Sequence, residues 1–361
     1  MKKRICKFLG AAVLCAALLS GCAGGQEAPP AESTAPTDPL TGQPLYFPGE
    51  RVAAVVIDNS PSTAAQWGIG SASVVLEAQT KADAPTSLCL VYPALRAMPT
   101  VGPVCAGQDL YWRLLSGQQV LPIQNGSELY ARNYLDYIKL RAVDALEVGR
   151  NAFFCDDVWN AAPLWRTSGS AVGGVLESLN LTSTLPLSQP SASEPDAEPA
   201  SPALPAFLPQ AEDTPPEPTF ADASAVWIDF PSESATGFAY NATYGTYGMS
   251  RADGSAQLDS NTGEQAEFDN VLVLYSSSTL RDDEQSLDYD LTMGGGVWLN
   301  GGRLWLITWT QGVDSTFSFY DADGETLNIL PGRSYLALLS SVTGQELRAF
   351  SSTGEDLLTA N

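Results

Sequence analysis

Val52-Ala53-Ala54-Val55-Val56-Ile57, followed at once by Asp58-Asn59, is the stretch on which the architecture turns. Six consecutive apolar residues without polar alternation describe a strand buried on both faces, and the change to Asp58-Asn59 opens its C-terminal end into a polar loop. A strand covered on both sides needs a layer on each. Residues 73–78 and 87–92 carry similar runs and are expected beside it. After the breaker Gly102-Pro103, Leu110, Tyr111, Leu114 and Leu115 fall at helical spacing within 106–115. Leu129, Ala131, Tyr134, Leu135 and Ile138 share a face of a second helix over 128–140. Val120-Leu121-Pro122-Ile123 between them is a short strand running into Gln124-Asn125-Gly126-Ser127, and a third helix is expected over 171–179. Strands alternating with helices in this way predict an α/β layer structure for residues 40–183.

Beyond it the composition changes. Residues 186–218 hold ten prolines, six acids and no Lys or Arg, a composition that buries too little apolar surface to offset ordering entropy. Residues 184–222 are therefore expected to be an extended disordered linker or a surface excursion. From 223 to 361 short strands and turns dominate, at 225–230, 237–247, 270–275, 296–300, 304–309, 316–320 and 335–339. Asn300-Gly301-Gly302 and Asp323-Gly324 are hairpin turns whose residues accept positive φ. The fold class is thus α/β (α+β): a mixed α/β N-terminal part docked on a β-rich, mainly antiparallel C-terminal part. The docking follows from Trp227, Phe230, Phe268, Trp298, Trp305, Trp309 and Phe317, more large apolar side chains than one face of a small sheet can hide.

The start of the chain speaks to location. Lys2, Lys3, Arg4 and Lys7 precede an apolar run at 8–19 too short to span a bilayer, and the run ends in Leu19-Ser20-Gly21-Cys22. This has the form of a signal peptide over 1–21 with a lipobox, in which Cys22 is lipidated and becomes the first mature residue. Residues 22–39, rich in Ala, Gly, Pro, Glu and Thr, then form a flexible tether. The membrane is accordingly an expected partner, through the lipid on Cys22 at the extracytoplasmic face.

Without residues 1–21, fourteen basic residues face forty-one acidic ones. That balance excludes nucleic acid as a partner, and anionic head groups would repel such a surface. There is no histidine, so Ser-His-Asp and Cys-His arrangements are excluded, and Lys81 and Lys139, the mature lysines, lie in no S-x-x-K pattern. Cys89, Cys105 and Cys155 are one thiolate short of a cysteine-only zinc site. Cys89 reads as a buried strand residue; Cys105 and Cys155 are either free or bridged. No cofactor, metal or catalytic residue is assigned.

Three constellations bear on binding. Asp58, Asn59, Gln66 and Glu77 gather polar groups at expected strand ends, where open α/β sheets hold ligands, and Gln124 and Asn125 join them if the cleft lies near the seam of the two parts. Against this stands a plain loop cap at Asp58-Asn59. Arg281-Asp282-Asp283-Glu284 with Asp288 and Asp290 offers hard oxygens for Ca²⁺, but without EF-hand spacing, and a solvated acidic turn is the favoured reading. Trp298, Trp305 and Trp309 with Tyr320 would make an aromatic platform. Trp305 and Trp309, an even number apart, share one sheet face, and that face is usually the core.

The ordered series Asp38-Pro-Leu-Thr-Gly42, Val56-Ile-Asp-Asn59, Gln66 with Gly68, Val75-Leu-Glu77, Gly102-Pro-Val104, Asn270-Val-Leu-Val273, Gly294-Gly-Gly296, Thr308-Trp309, Phe319-Tyr-Asp321 and Asp323-Gly324 resembles the YerB-like lipoproteins, the DUF3048 family. The resemblance covers 38–181 and 222–341. It implies an extracytoplasmic lipoprotein with an α/β first part and a β-rich second part, and no known reaction. The chain departs from the family pattern at Cys105 and Gln108, where relatives have basic residues, and in lacking histidine near 124–127 and 162–164. Together these features lead to the expectation of a membrane-anchored binding or scaffolding module of the cell envelope, with an envelope protein or glycan as ligand. The competing class is a carboxylate-dependent, glycan-cleaving hydrolase, which needs two converging acids about 5–10 Å apart.

Overall fold

The computed structural model describes residues 36–63, 65–156, 163–187, 200, 202–231 and 233–359. The expected signal peptide, Cys22 and all but the end of the tether lie outside them. The first part contributes β1 (Ala53–Asp58), β2 (Val74–Ala78), β3 (Ser87–Tyr92), β4 (Leu121–Gln124) and β5 (Val143–Asp144), with helices α1 (Asp109–Leu114), α2 (Leu129–Ile138), α3 (Ala145–Val148) and α4 (Gly169–Gly173). From the second part come β6 (Ala225–Phe230), β7 (Ser234–Asn241), β8 (Thr246–Ser250), β9 (Glu267–Phe268), β10 (Asn270–Ser276), β11 (Ser278–Leu280) and β12 (Leu287–Tyr289). β13 (Met293–Asn300), β14 (Arg303–Gln311), β15 (Phe317–Tyr320), β16 (Thr326–Leu327), β17 (Ser334–Ser340) and β18 (Glu346–Phe350) complete it.

Both parts build one eleven-stranded sheet, in the order β16-β15-β14-β13-β10-β17-β2-β3-β1-β4-β5. The joint is the parallel pair β17–β2, with Tyr335 beside Val75 and Ala337 beside Glu77. β17 also lies parallel to β10, so a strand near the end of the chain fills the space between the two parts. The expected antiparallel meander is present from β10 through β13, β14 and β15 to β16. Its tightest turn is Gly301-Gly302, with φ of 58° and 76°, between the paired residues Asn300 and Arg303. Both central residues at positive φ match the twist of the flanking strands, which explains glycine there.

Alternation along each strand sorts the core into two layers. One face of the large sheet (Val55, Ile57, Val75, Leu90, Val271, Val273) packs on the five-stranded antiparallel sheet β18-β6-β7-β8-β9 through Val226, Ile228, Phe238, Met249 and Phe268. The other face (Ala54, Val56, Leu76, Cys89, Leu272, Leu274) is covered by Leu110, Tyr111, Trp112 and Leu114 of α1 and by Ala131 and Leu135 of α2. These layers meet the requirement set by β1, whose residues 53–57 are all buried.

Over 202–222 the structure differs from the disordered linker expected there. Phe207 and Leu208 are fully buried, and the Phe207 ring meets Phe317 edge-on at 5.5 Å. The Phe207 N–H donates to Pro39 O, its carbonyl accepts from Phe317 N–H, and Phe220 exchanges two backbone bonds with Leu304. The indole of Trp305 donates to Pro216 O at 2.9 Å. The segment is a strap, with Phe207 and Leu208 on the helix side of the sheet and Phe220 packed on the other side. Prolines with φ already fixed lose little backbone freedom on docking, so two apolar anchors and these bonds are enough. Leu185, in the expected linker too, is buried and donates its N–H to Gly49 O; residues 188–199 lie outside the described ones.

Of the two readings of the tryptophans, aromatic platform or core face, the structure has the core. Trp298, Trp305 and Trp309 are buried, and Trp298 stacks on its cross-strand partner Trp305 at 4.3 Å. Cys89 is buried in β3, and Cys105 and Cys155 are free thiols.

Candidate functional site

Glu77 breaks the apolar run Val74-Val75-Leu76-Glu77-Ala78, and a carboxyl in mid-strand must be met by donors or destabilise the sheet. Alternation points it to the face covered by the five-stranded sheet, where it is 1% exposed. Its Oε1 accepts from Asn59 Nδ2 at 2.9 Å and Thr86 Oγ1 at 2.6 Å. Its Oε2 accepts from Thr236 Oγ1 at 2.8 Å and Tyr335 Oη at 2.6 Å. Two donors come from each part of the chain. Burial pushes the carboxyl up from its ordinary value, and the four hydrogen bonds pull against that shift by favouring the charged form.

The loop leaving β1 completes the arrangement. Gln66 Nε2 donates to Asp58 O at 2.8 Å and to Asn59 Oδ1 at 3.0 Å, which aims the Asn59 amide at Glu77. Asp58 uses its carboxylate within its own loop, accepting from Ser60 N, Ser60 Oγ and Thr63 Oγ1. That is the loop-cap role. Asn59, Gln66 and Glu77 are therefore brought together as expected, with Asp58 contributing its carbonyl.

Gln124 and Asn125 form a separate group. Leu121 and Ile123 face the five-stranded sheet, so Gln124 points to the helix layer. Its Nε2 donates to Ser127 Oγ and Asp144 Oδ2, both at 2.9 Å. Asn125 N–H donates to Cys105 O at 2.9 Å. Burial, and then the neighbouring Asp58 charge, push the Cys105 thiol well above its ordinary value, which removes it as a nucleophile near neutrality. The sheet thus divides the six residues chosen from sequence between its two faces.

Beside Glu77, at the seam, lies a cavity of about 120 Å³ lined by Asn59, Pro61, Ser234, Thr236, Arg251 and Gln257, among others. Arg251 is fixed by donating from Nη2 to Thr63 O at 2.6 Å. Ser234 Oγ and Gln66 Oε1 are buried and have no hydrogen-bond partner among the described residues. At roughly 30 Å³ per water, the space holds about four waters or one small polar group. Thr86, Ser234, Thr236, Arg251 and Tyr335 were not among the residues chosen from sequence. Thr236 and Tyr335 carried no local signal, because only the fold sets them beside Glu77.

The acidic stretch around Asp283 behaves as a turn. Asp283 accepts from Gln285 N, Ser286 N and Ser286 Oγ, and Asp290 from Thr292. Asp288 pairs with Arg113 at 2.7 Å and Arg281 at 3.0 Å, so its charge is already matched.

Residues 40–172 match the N-terminal domain, and residues 226–336 the C-terminal domain, of a family described as protein of unknown function DUF3048. No curated protein matches the chain. The crystal structure of the YerB protein from Bacillus subtilis is similar, with a TM-score of 0.68 and 20% identity, over 86% of this chain and 99% of that one. At that identity the likeness concerns the fold.

Proposed function

Because the chain belongs to the DUF3048 family in both its N- and C-terminal domains, we propose that it is a lipoprotein held by Cys22 at the extracytoplasmic face of the membrane, its body a binding or scaffolding module of the cell envelope. The anchor rests on the Leu19-Ser20-Gly21-Cys22 motif behind a short apolar run. Among the described residues no helix is long and apolar enough to cross a membrane.

One observation carries the choice of a binder over a carboxylate hydrolase. Glu77, an acid enclosed at the seam, accepts four hydrogen bonds, which occupy the roughly four lone-pair sites of a carboxylate; Asp259, also buried between the parts, is held by the N–H groups of Gly68, Gly70 and Asn261. No site is left on Glu77 from which to take a substrate proton or attack an anomeric carbon. The group fixes the two parts to each other, and the body presents surfaces of constant shape. Cys22→Ala should leave the protein unprocessed or release it from membranes. Cleaved, mature-size protein still in the membrane fraction would refute the anchor. Incubation with purified envelope glycan should release no new fragments by mass spectrometry, and fragments lost in Glu77→Gln would establish the hydrolase instead.

A further inference from the structure

The outward face of the five-stranded sheet carries a second arrangement, apart from the seam. In β6 the side chains of Val226, Ile228 and Phe230 enter the core, which turns Trp227 and Asp229 to the opposite face. Cross-strand pairing places Arg348, Trp227, Gly237 and Ser250 in one row across β18, β6, β7 and β8. The indole lies down along this row over Gly237. A Cβ at 237 would stand 2.5 Å from Cε3 and Cζ3 of the ring, so glycine makes the pose available. Trp227 Nε1 donates to Asp229 Oδ1 at 2.7 Å, and Asp229 Oδ2 accepts from Arg348 Nη2 at 2.6 Å. The ring is thus held in place before any ligand arrives, with little rotamer freedom left to lose.

Small neighbours leave room above it. Ala225 and Ala239 occupy the adjoining row, with Phe350 at its β18 end, and a shallow depression of about 360 Å³ opens over Trp227, Gly237, Ala239 and Arg348. Both members of the Asp229–Arg348 pair remain partly exposed, with side chains 38% and 46% accessible. Each keeps unused acceptors or donors.

We propose that this face binds a neutral oligosaccharide, one pyranose ring stacking on Trp227 and its hydroxyls meeting Asp229 and Arg348. The axial C–H groups of a pyranose carry slight positive charge and suit the negative face of an aromatic ring, while its hydroxyls both donate and accept as the ion pair requires. An anionic polymer is disfavoured by the excess of acids in the chain and by Glu346 beside Asp229. A peptide adding as a strand is disfavoured because the C-terminal end of the β18 edge is already taken: Leu357 N–H donates to Ala349 O at 2.8 Å, and Phe350 bridges to Asp356.

The test is titration of the full chain in detergent with the hexamer of β-1,4-linked N-acetylglucosamine, followed by tryptophan fluorescence and by saturation-transfer NMR on the sugar. Saturable binding is expected, weakened about tenfold or more by Trp227→Ala and weakened by Arg348→Ala, an exposed position whose variant should melt as cooperatively as the wild type. Absence of binding at millimolar sugar, or equal binding by wild type and both variants, would overturn the proposal. If Trp227→Ala loses its cooperative melting, Arg348→Ala alone decides. Membrane fractionation of both variants should be unchanged, which separates failure here from failure of the lipid anchor.

Discussion

Tyr335→Phe removes one hydroxyl from the joint between the two parts and little else. The ring packs 4.6 Å from Phe238 and 5.9 Å from Phe268 by centroid, and phenylalanine keeps those contacts. Lost is the 2.6 Å bond to Glu77 Oε2. A hydrogen bond to a charged group contributes about 1.5–3 kcal/mol, and one to a neutral group about 0.5–1.5 kcal/mol. For the body Pro36–Asn361, an unfolding entropy of about 2.1 cal/mol/K per residue gives about 0.7 kcal/mol/K, so the melting temperature should fall by about 2–4 °C. The loss should depend on pH. Burial holds the folded Glu77 value above its ordinary 4.5, so the titration of this group favours the fold fully below about pH 4.5, a gain lost as pH rises through the folded value. The variant's deficit should therefore be smaller at pH 4, where Glu77 is protonated, than at pH 8, because the bond to Tyr335 becomes charge-assisted as pH rises through the folded value. Calorimetry of both proteins at the two pH values measures this. An equal deficit at both, or none at pH 8, would refute the role given to Glu77.

The strap makes a similar claim on stability: Phe207→Ala removes a fully buried ring and should cost about 3–5 kcal/mol, or about 4–7 °C in melting temperature, whereas a free linker would show no change. In the turn between β13 and β14, Gly301→Asn should stabilise by about 0.4–1 kcal/mol, since φ is 58°, nothing lies within 4 Å of the added Cβ, and asparagine accepts this conformation. Gly302→Ala should do the opposite, because its Cβ would stand 2.8 Å from the Tyr240 ring. Denaturant titration of the two turn variants would settle the pair, and a destabilised Gly301→Asn would show that the turn does not tolerate a side chain there.

The elements with local signatures were legible in the chain. The apolar runs at 52–57 and 87–92, the helical spacing of Leu110, Tyr111 and Leu114, and the Gly301-Gly302 turn each name their own structure. Glu77 was legible as a polar group in an apolar strand, and alternation buried Trp305 and Trp309 correctly. The pairing of β17 with β2 left no local trace, because parallel strands more than 250 residues apart have no turn between them to fix register. For that reason the partners Tyr335 and Thr236 stayed hidden. Elsewhere the signal was present and outweighed: Phe207-Leu208 is an apolar pair amid prolines, where composition dominated the reading. Trp227 was grouped with Phe230 as bulk to be covered, although three positions apart on a strand sets them on opposite faces.

The insertion of β17 between β10 and β2 also bears on how the chain is made. Until residues 334–340 emerge, β2 has β3 on one side and nothing on the other, an edge of five buried-type residues with one carboxyl. For a chain that crosses the membrane from its N-terminal end, residues 79–333 must still follow before that partner arrives. Throughout that interval the first half offers an unpaired, apolar strand edge, the kind of template that seeds association between nascent chains. Correct biogenesis therefore depends on keeping that edge unoccupied, so that a holdase acting early on the first half should raise the yield of folded protein more than one acting after release.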